Sequence, residues 1–204
     1  MQVLWPIAVP ISLRTIVDDV QKRFGWLTVI RLFSSVMFVA ASAATSAQAQ
    51  TSKPIRVTVV DRVGYDKVIA ANIGKIVVVD CWATWCVPCR NGFPKMVELS
   101  KKYADEDVVV VSLCFDDLVK GEAPAKVTKF LEEKDARFEH LISSLNISKG
   151  GAQAFEIPDE LLPHCKIYGK DGKILKALES VNGDEIKHED IEAAVKAAIK
   201  AQTK

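Results

Sequence analysis

The sequence is poor in cysteine and histidine, with five Cys and three His among 204 residues. Five thiols are too few to staple together a disulfide-built mini-domain. Excess charge of either sign is also missing: 27 Lys and Arg against 26 Asp and Glu give +1. No global basic field is therefore present to recruit nucleic acid or an anionic membrane. No internal repeat or low-complexity tract is visible. With 10 Gly, 8 Pro, 49% hydrophobic and 26% charged residues, a disordered chain and a collagen-like repeat are both excluded. One further lack is local: from Leu32 to Ser52 there is not a single charged residue.

That uncharged stretch has a recognisable grammar. Arg14, Lys22, Arg23 and Arg31 precede it, Leu32 to Ala44 form an apolar run, and small residues lead to Ala47-Gln48-Ala49. A basic segment, a short apolar core and an Ala-x-Ala site are the parts of a secretory signal peptide. The expectation is a leader over 1–49, cleaved after Ala49, and one domain over 50–204. The alternative is a retained N-terminal membrane anchor, and it fits less well. About 13 apolar residues at 1.5 Å each cover about 20 Å, short of a hydrocarbon core of about 30 Å. Extending the run back to Leu27 would bury Arg31. Thirty-one residues before the apolar core make a long leader, and no Cys near the cleavage site offers a lipid attachment point. Removing the leader takes away four basic and two acidic residues, leaving 23 and 24 and a charge of −1. Such a balance suits small-molecule or protein substrates better than polyanions.

Within 50–204 the pattern alternates between periods of two and of about 3.6. Ile55–Val60 is β-branched and alternating, a first strand. Tyr65–Ala71 has helical spacing with Gly74 as its stop. Lys75–Cys81 and Asp107–Cys114 are continuous apolar runs, as expected of strands buried on both faces. Helices are predicted over Cys86–Tyr103, Glu122–Lys134 (Val127, Phe130 and Leu131 inward) and Glu189–Ala201 (Ile191, Val195 and Ile199 inward). Phe138–Ile142 reads as a short strand, and Asn146–Phe155 as a loop with a short helix. Lys166–Tyr168 and Lys173–Ala177 read as a hairpin turning at Gly169-Lys170-Asp171-Gly172. Strand–helix alternation, then a hairpin and a closing helix, indicates a single three-layer α/β domain.

The chemistry sits after the first buried run, in Trp82-Ala83-Thr84-Trp85-Cys86-Val87-Pro88-Cys89-Arg90. Two Cys two residues apart at a helix start are close enough for a small disulfide ring. At a helix N-terminus, unpaired amides and the macrodipole favour a thiolate on Cys86. Thiolate is the attacking form, and a depressed pKa also makes that sulfur a good leaving group. Pro88 restricts the backbone between the sulfurs and fits the first helical turn. Cys89, farther along, is expected to be the more buried sulfur and to resolve a mixed disulfide, while Trp85 flanks the exposed one with an apolar surface. Half of a zinc site is the rival reading, but four ligands are required. The other cysteines (Cys81, Cys114, Cys165) are scattered and the His far apart, so no metal is expected. A purely structural bridge would constrain little unfolded-state entropy in so small a ring.

The run Val77-Val78-Val79-Asp80-Cys81-Trp82-Ala83-Thr84-Trp85-Cys86-Val87-Pro88-Cys89-Arg90 resembles the thioredoxin superfamily. With the leader, Val87-Pro88 between the cysteines, and a long segment from Phe115 to Leu162, it is most similar to the exported TlpA/ResA-like thiol-disulfide oxidoreductases. The resemblance implies a thioredoxin-like fold, a central mixed sheet flanked by helices. It implies Cys86 as the attacking and Cys89 as the resolving cysteine, with Asp80 exchanging a proton with the resolving thiol. A carboxylate in an apolar strand should have a raised pKa, which suits that role. Pro94 matches a helix-kinking proline of structural role. Pro163 matches the family's cis-proline, with Pro158 the less favoured candidate, and Leu162 would offer backbone to an extended substrate.

Two departures stand out. Gly92 occupies a helix position where these proteins commonly carry Glu, so that acid is missing from the helix, and Asn91 and Gly92 are poor helix formers. His164, after Pro163, would either tune the thiolate or be an ordinary buried His. Cys165 is expected to turn away from Cys86 by strand alternation, and Cys165, Cys81 and Cys114 are read as buried small hydrophobes. The functional expectation is an exported, periplasmic or otherwise extracytoplasmic thiol-disulfide oxidoreductase acting on protein disulfides. It needs no metal or organic cofactor, but it does need a thiol electron donor, expected in the membrane. Two other classes compete. A non-catalytic peptide-binding module of the same fold conflicts with the intact cysteine pair. A thiol peroxidase would need a peroxidatic Cys in a Pro-rich setting with Thr and Arg nearby, and none is apparent.

Overall fold

The sheet is built around the two most apolar strands. The computed structural model describes residues 54–119 and 121–201; the leader reading falls outside these described residues. Six strands, β1 (Val57–Val60), β2 (Ile76–Trp82), β3 (Val108–Cys114), β4 (Glu139–Ser143), β5 (His164–Tyr168) and β6 (Ile174–Glu179), form one sheet in the order β1-β4-β3-β2-β5-β6. The first four run parallel, while β5 is antiparallel to β2 and to β6. Every residue of β2 is buried, which is why its sequence does not alternate. The β5–β6 pairing is the predicted hairpin, with Gly172 at φ +76° in its turn.

Helices α1 (Arg62–Ala71), α2 (Val87–Lys102), α3 (Ala123–Glu133) and α4 (His188–Ala201) cover the faces. Met96 and Leu99 of α2, with Ile191, Val195 and Ala198 of α4, pack on Ile76, Val78, Val110, Cys165 and Ile167. Trp82, on the same face of β2, packs with tilted rings against Phe93 of α2 at 4.8 Å and Phe130 of α3 at 4.9 Å. On the opposite face, Tyr65 of α1 hydrogen-bonds Tyr168 at 2.8 Å and meets Phe155 edge-on at 5.4 Å. The outcome is a three-layer α/β fold with a mixed sheet.

Boundaries differ from the sequence expectations where capping decides. Helix α1 starts earlier, at Arg62, because Asp61 caps it by accepting from the Gly64 amide at 2.7 Å. It ends at Asn72, before Gly74. Ala198, rather than Ile199, is the third buried residue of α4, because 3.6 residues per turn drifts off a strict four-residue spacing. Asn146–Phe155 forms an irregular turn (Ile147–Gly151) running into one helical turn (Ala152–Ala154). Among the described residues no helix is long and apolar enough to cross a membrane.

Candidate active site

Strand β2 ends at Trp82, and the chain turns through Ala83–Trp85 before α2 begins. Cys86 is the N-cap of α2: its backbone is extended and its Sγ accepts from the Cys89 amide at 3.3 Å. The two cysteines form a disulfide with Cα atoms 5.3 Å apart. Pro88 lies in the first turn, where a missing amide costs nothing. Pro94 lies inside α2, and the helix nevertheless runs unbroken through Asn91 and Gly92. Contrary to the expected asymmetry, the two cysteines are equally covered, at 5% and 4% exposure. Trp85 and Val87 beside them are exposed.

Asp80 is buried on β2 below the disulfide, and burial pushes its carboxyl up from the ordinary 3.8 to about 7. The Leu162–Pro163 peptide is cis, immediately before β5, at the position the resemblance indicates. Asp80, Pro88, Cys89 and Pro163 line one small cleft. Cys165 pairs directly with Asp80 across β2–β5, so it lies on Asp80's side of the sheet and not the other, because directly opposed residues share a face. It is buried, and burial with the Asp80 charge raises its thiol well above the usual range. Cys81 and Cys114 are also buried free thiols, Cys81 pushed up to about 12 by burial.

His164 pairs with Cys81 and so belongs to the opposite face. It is buried, its Nε2 has no partner, and burial with Lys166 lowers it to about 4. Lys166, on that same face, is buried too, and its ammonium donates to the carbonyl of Phe155.

Two residues of the site were not visible in the sequence. Asp116, in the loop after β3, is buried and accepts from the Thr84 amide at 2.7 Å and from Thr84 Oγ1 at 2.5 Å. It also accepts from Cys114 Sγ at 3.4 Å. This carboxylate fixes the turn that presents Cys86. Its only sequence signal is Asp116-Asp117 directly after an apolar strand. The second is Glu185, between β6 and α4. A β-carbon added to Gly92 would lie 3.4 Å from Cγ and Oε1 of Glu185, and Lys95 Nζ holds that Oε1 at 3.0 Å. A carboxylate from a distant part of the chain thus lies beside Gly92. Among the described residues no cluster of three or more His, Cys, Asp or Glu is placed to hold a metal ion.

The thioredoxin family model matches residues 56–130. Thioredoxin H5 of Oryza sativa subsp. japonica is 39% identical over 115 residues, 54% of this chain and 80% of that protein. The chain belongs to the thioredoxin superfamily. Thiol-disulfide oxidoreductase ResA of Bacillus thuringiensis subsp. konkukian is 31% identical over 116 residues, covering 57% of this thioredoxin-superfamily chain. The chain spans 60% of the length of that relative. Among solved structures, one described as thiol:disulfide interchange protein DsbE from Chlorobium tepidum superposes with a TM-score of 0.50 at 25% identity. It covers 64% of this chain and 84% of its own.

Proposed function

We propose that the protein is an exported thiol-disulfide oxidoreductase that reduces disulfides of extracytoplasmic proteins. The observation that carries this reading is the Cys86–Cys89 disulfide at the N-terminus of α2, with Asp80 and Pro163 lining the cleft beside Cys89. In the reduced protein the helix N-terminus favours the Cys86 thiolate. It attacks a substrate disulfide and forms a mixed disulfide, releasing the first substrate thiol. Cys89 gives its proton to Asp80 and attacks Cys86 Sγ, releasing the second substrate thiol and closing the ring. Trp85 offers an apolar surface to the substrate, and the backbone at Leu162 pairs with its extended chain. The names of the ResA and DsbE relatives support the chemistry; the reductive direction follows from the family resemblance. The leader pattern supports export to a periplasmic or similar compartment, with the protein free or N-terminally anchored. In an oxidising compartment the disulfide must be re-reduced by another thiol protein, for which a membrane-embedded donor is the fitting class.

The test is insulin reduction with dithiothreitol as donor, alongside trapping by Cys89→Ser. Acceleration that depends on Cys86, and a mixed disulfide on Cys86 in the trapping variant, are expected. Absence of both would remove the enzyme reading. A measured redox potential below that of glutathione is the outcome expected of a reductant.

A further inference from the structure

In the proposed turnover Cys89 gives its proton to Asp80, and Asp80 is only 7% exposed. The cleft that Asp80 lines has about 20 Å³ of internal room, enough for one water molecule. Cys89, Pro163, Gly92, Lys95, Glu185 and His188 are among the residues that line it with Asp80. Glu185 is placed there by two independent contacts. Gly92 has no side chain to exclude it, and Lys95 binds its carboxylate at 3.0 Å. The side chain of Glu185 is one-third exposed, so one carboxylate touches both the cleft and bulk water.

We propose that Glu185, anchored by Lys95 over Gly92, is the relay residue through which Asp80 exchanges its proton with solvent by way of one water in the cleft. The proposal rests on the oxidoreductase reading. Its balance is protonic only: Cys89 S–H gives its proton to the Asp80 carboxylate, Asp80 passes it to the water, and the water passes one to Glu185 and on to bulk. Glu185 acts through Asp80 and does not touch the sulfurs' substrate. The ion pair with Lys95 holds the Glu185 carboxylate at the edge of the cleft. Other charged groups face this region from each packed element. Glu98 of α2 and Glu189 of α4 act on Lys95 along with Glu185. His188 of α4 lies 3.7 Å from Glu192, and Cys165 of β5 opposes Asp80. None of these joins cleft and solvent with a carboxylate bound in place.

The experiment follows the reduced full chain reacting with 5,5′-dithiobis(2-nitrobenzoate), reading release of the thiolate chromophore. Attack by Cys86 gives a first phase, and displacement by Cys89 gives a second. In Glu185→Gln the second phase should slow about tenfold at neutral pH in dilute buffer, with the first phase unchanged. Added imidazole should restore it, whereas the wild type should be insensitive to buffer. Glu185→Asp should retain most of the rate, and Lys95→Met should show a partial loss. Thermal melts of each variant separate misfolding from loss of the relay. A second phase in Glu185→Gln that matches wild type, or a slow one that buffer does not rescue, overturns the relay alone. A wild-type protein with no second phase overturns the oxidoreductase reading and the relay with it.

Discussion

Asp80 sits between Val79 and Cys81 in a strand whose seven residues are all buried, and its cost is set by that setting. Because burial raises its folded pKa to about 7, the folded protein holds a proton that the unfolded chain releases above about 4. The stability this provides is present below the unfolded value and lost as pH rises through about 7. Above that, an ionised buried carboxylate costs on the order of 4 kcal/mol. Asp80→Asn should therefore raise the unfolding free energy by about 2–4 kcal/mol in urea titrations at mildly alkaline pH, and by much less near pH 4. A neutral or destabilising effect at alkaline pH would show that hydrogen bonds to the carboxylate outweigh the cost of burying its charge. The buried acid was legible in the sequence because its neighbours are apolar on both sides. Glu185 was not, because nothing local in Gly183-Asp184-Glu185-Ile186 points to a glycine more than ninety residues earlier.

At the scale of elements, the turn from β2 into α2 decides how the disulfide is presented. Ala83–Trp85 has little apolar area of its own to fix it, apart from an exposed Trp85. Asp116 supplies the restraint through two hydrogen bonds to Thr84, and Thr84 precedes the N-cap of α2 by two residues. Asp116→Ala would leave the Thr84 amide and hydroxyl unpaired in a buried site, costing about 2–4 kcal/mol. Hydrogen exchange should show the Thr84 amide losing protection well beyond the global change. Equal loss across all of β2 and α2 would mean that Asp116 supports only global stability. The strands and helices themselves were readable to within a few residues, since each period is a local property. Asn146–Phe155 was legible as a loop with a short helix, but the packing of its last residue was not. Phe155 is held between Tyr65 and Phe115, and its carbonyl is taken by Lys166.

For the whole molecule, the response to acid combines opposed contributions. His140 is buried, with Nδ1 on Ser112 at 2.8 Å and Nε2 on the Ala136 carbonyl at 3.1 Å, and burial lowers it to about 4. His164 is lowered likewise, by burial and by Lys166. For both, the unfolded chain binds protons first, so their contribution is complete above about 6.5 and lost as pH falls through about 4. Asp80 has the opposite sign across the same window. The melting temperature should fall on acidification from pH 6.5 to 4, and it should fall more steeply in Asp80→Asn, which lacks the compensating proton uptake. Calorimetric scans across that range check this, and a flat profile in both proteins would contradict it. The sequence by itself determined the three layers and the close Cys86–Cys89 pair at a helix start. Apolar runs, helical periodicity and a two-residue spacing each act within one element. Only the tertiary structure decided that Cys165 faces Asp80, that Asp116 holds Thr84 and that Glu185 fills the space at Gly92. Those neighbours depend on strand register and helix packing, which join residues far apart in the chain and leave no periodic trace along it.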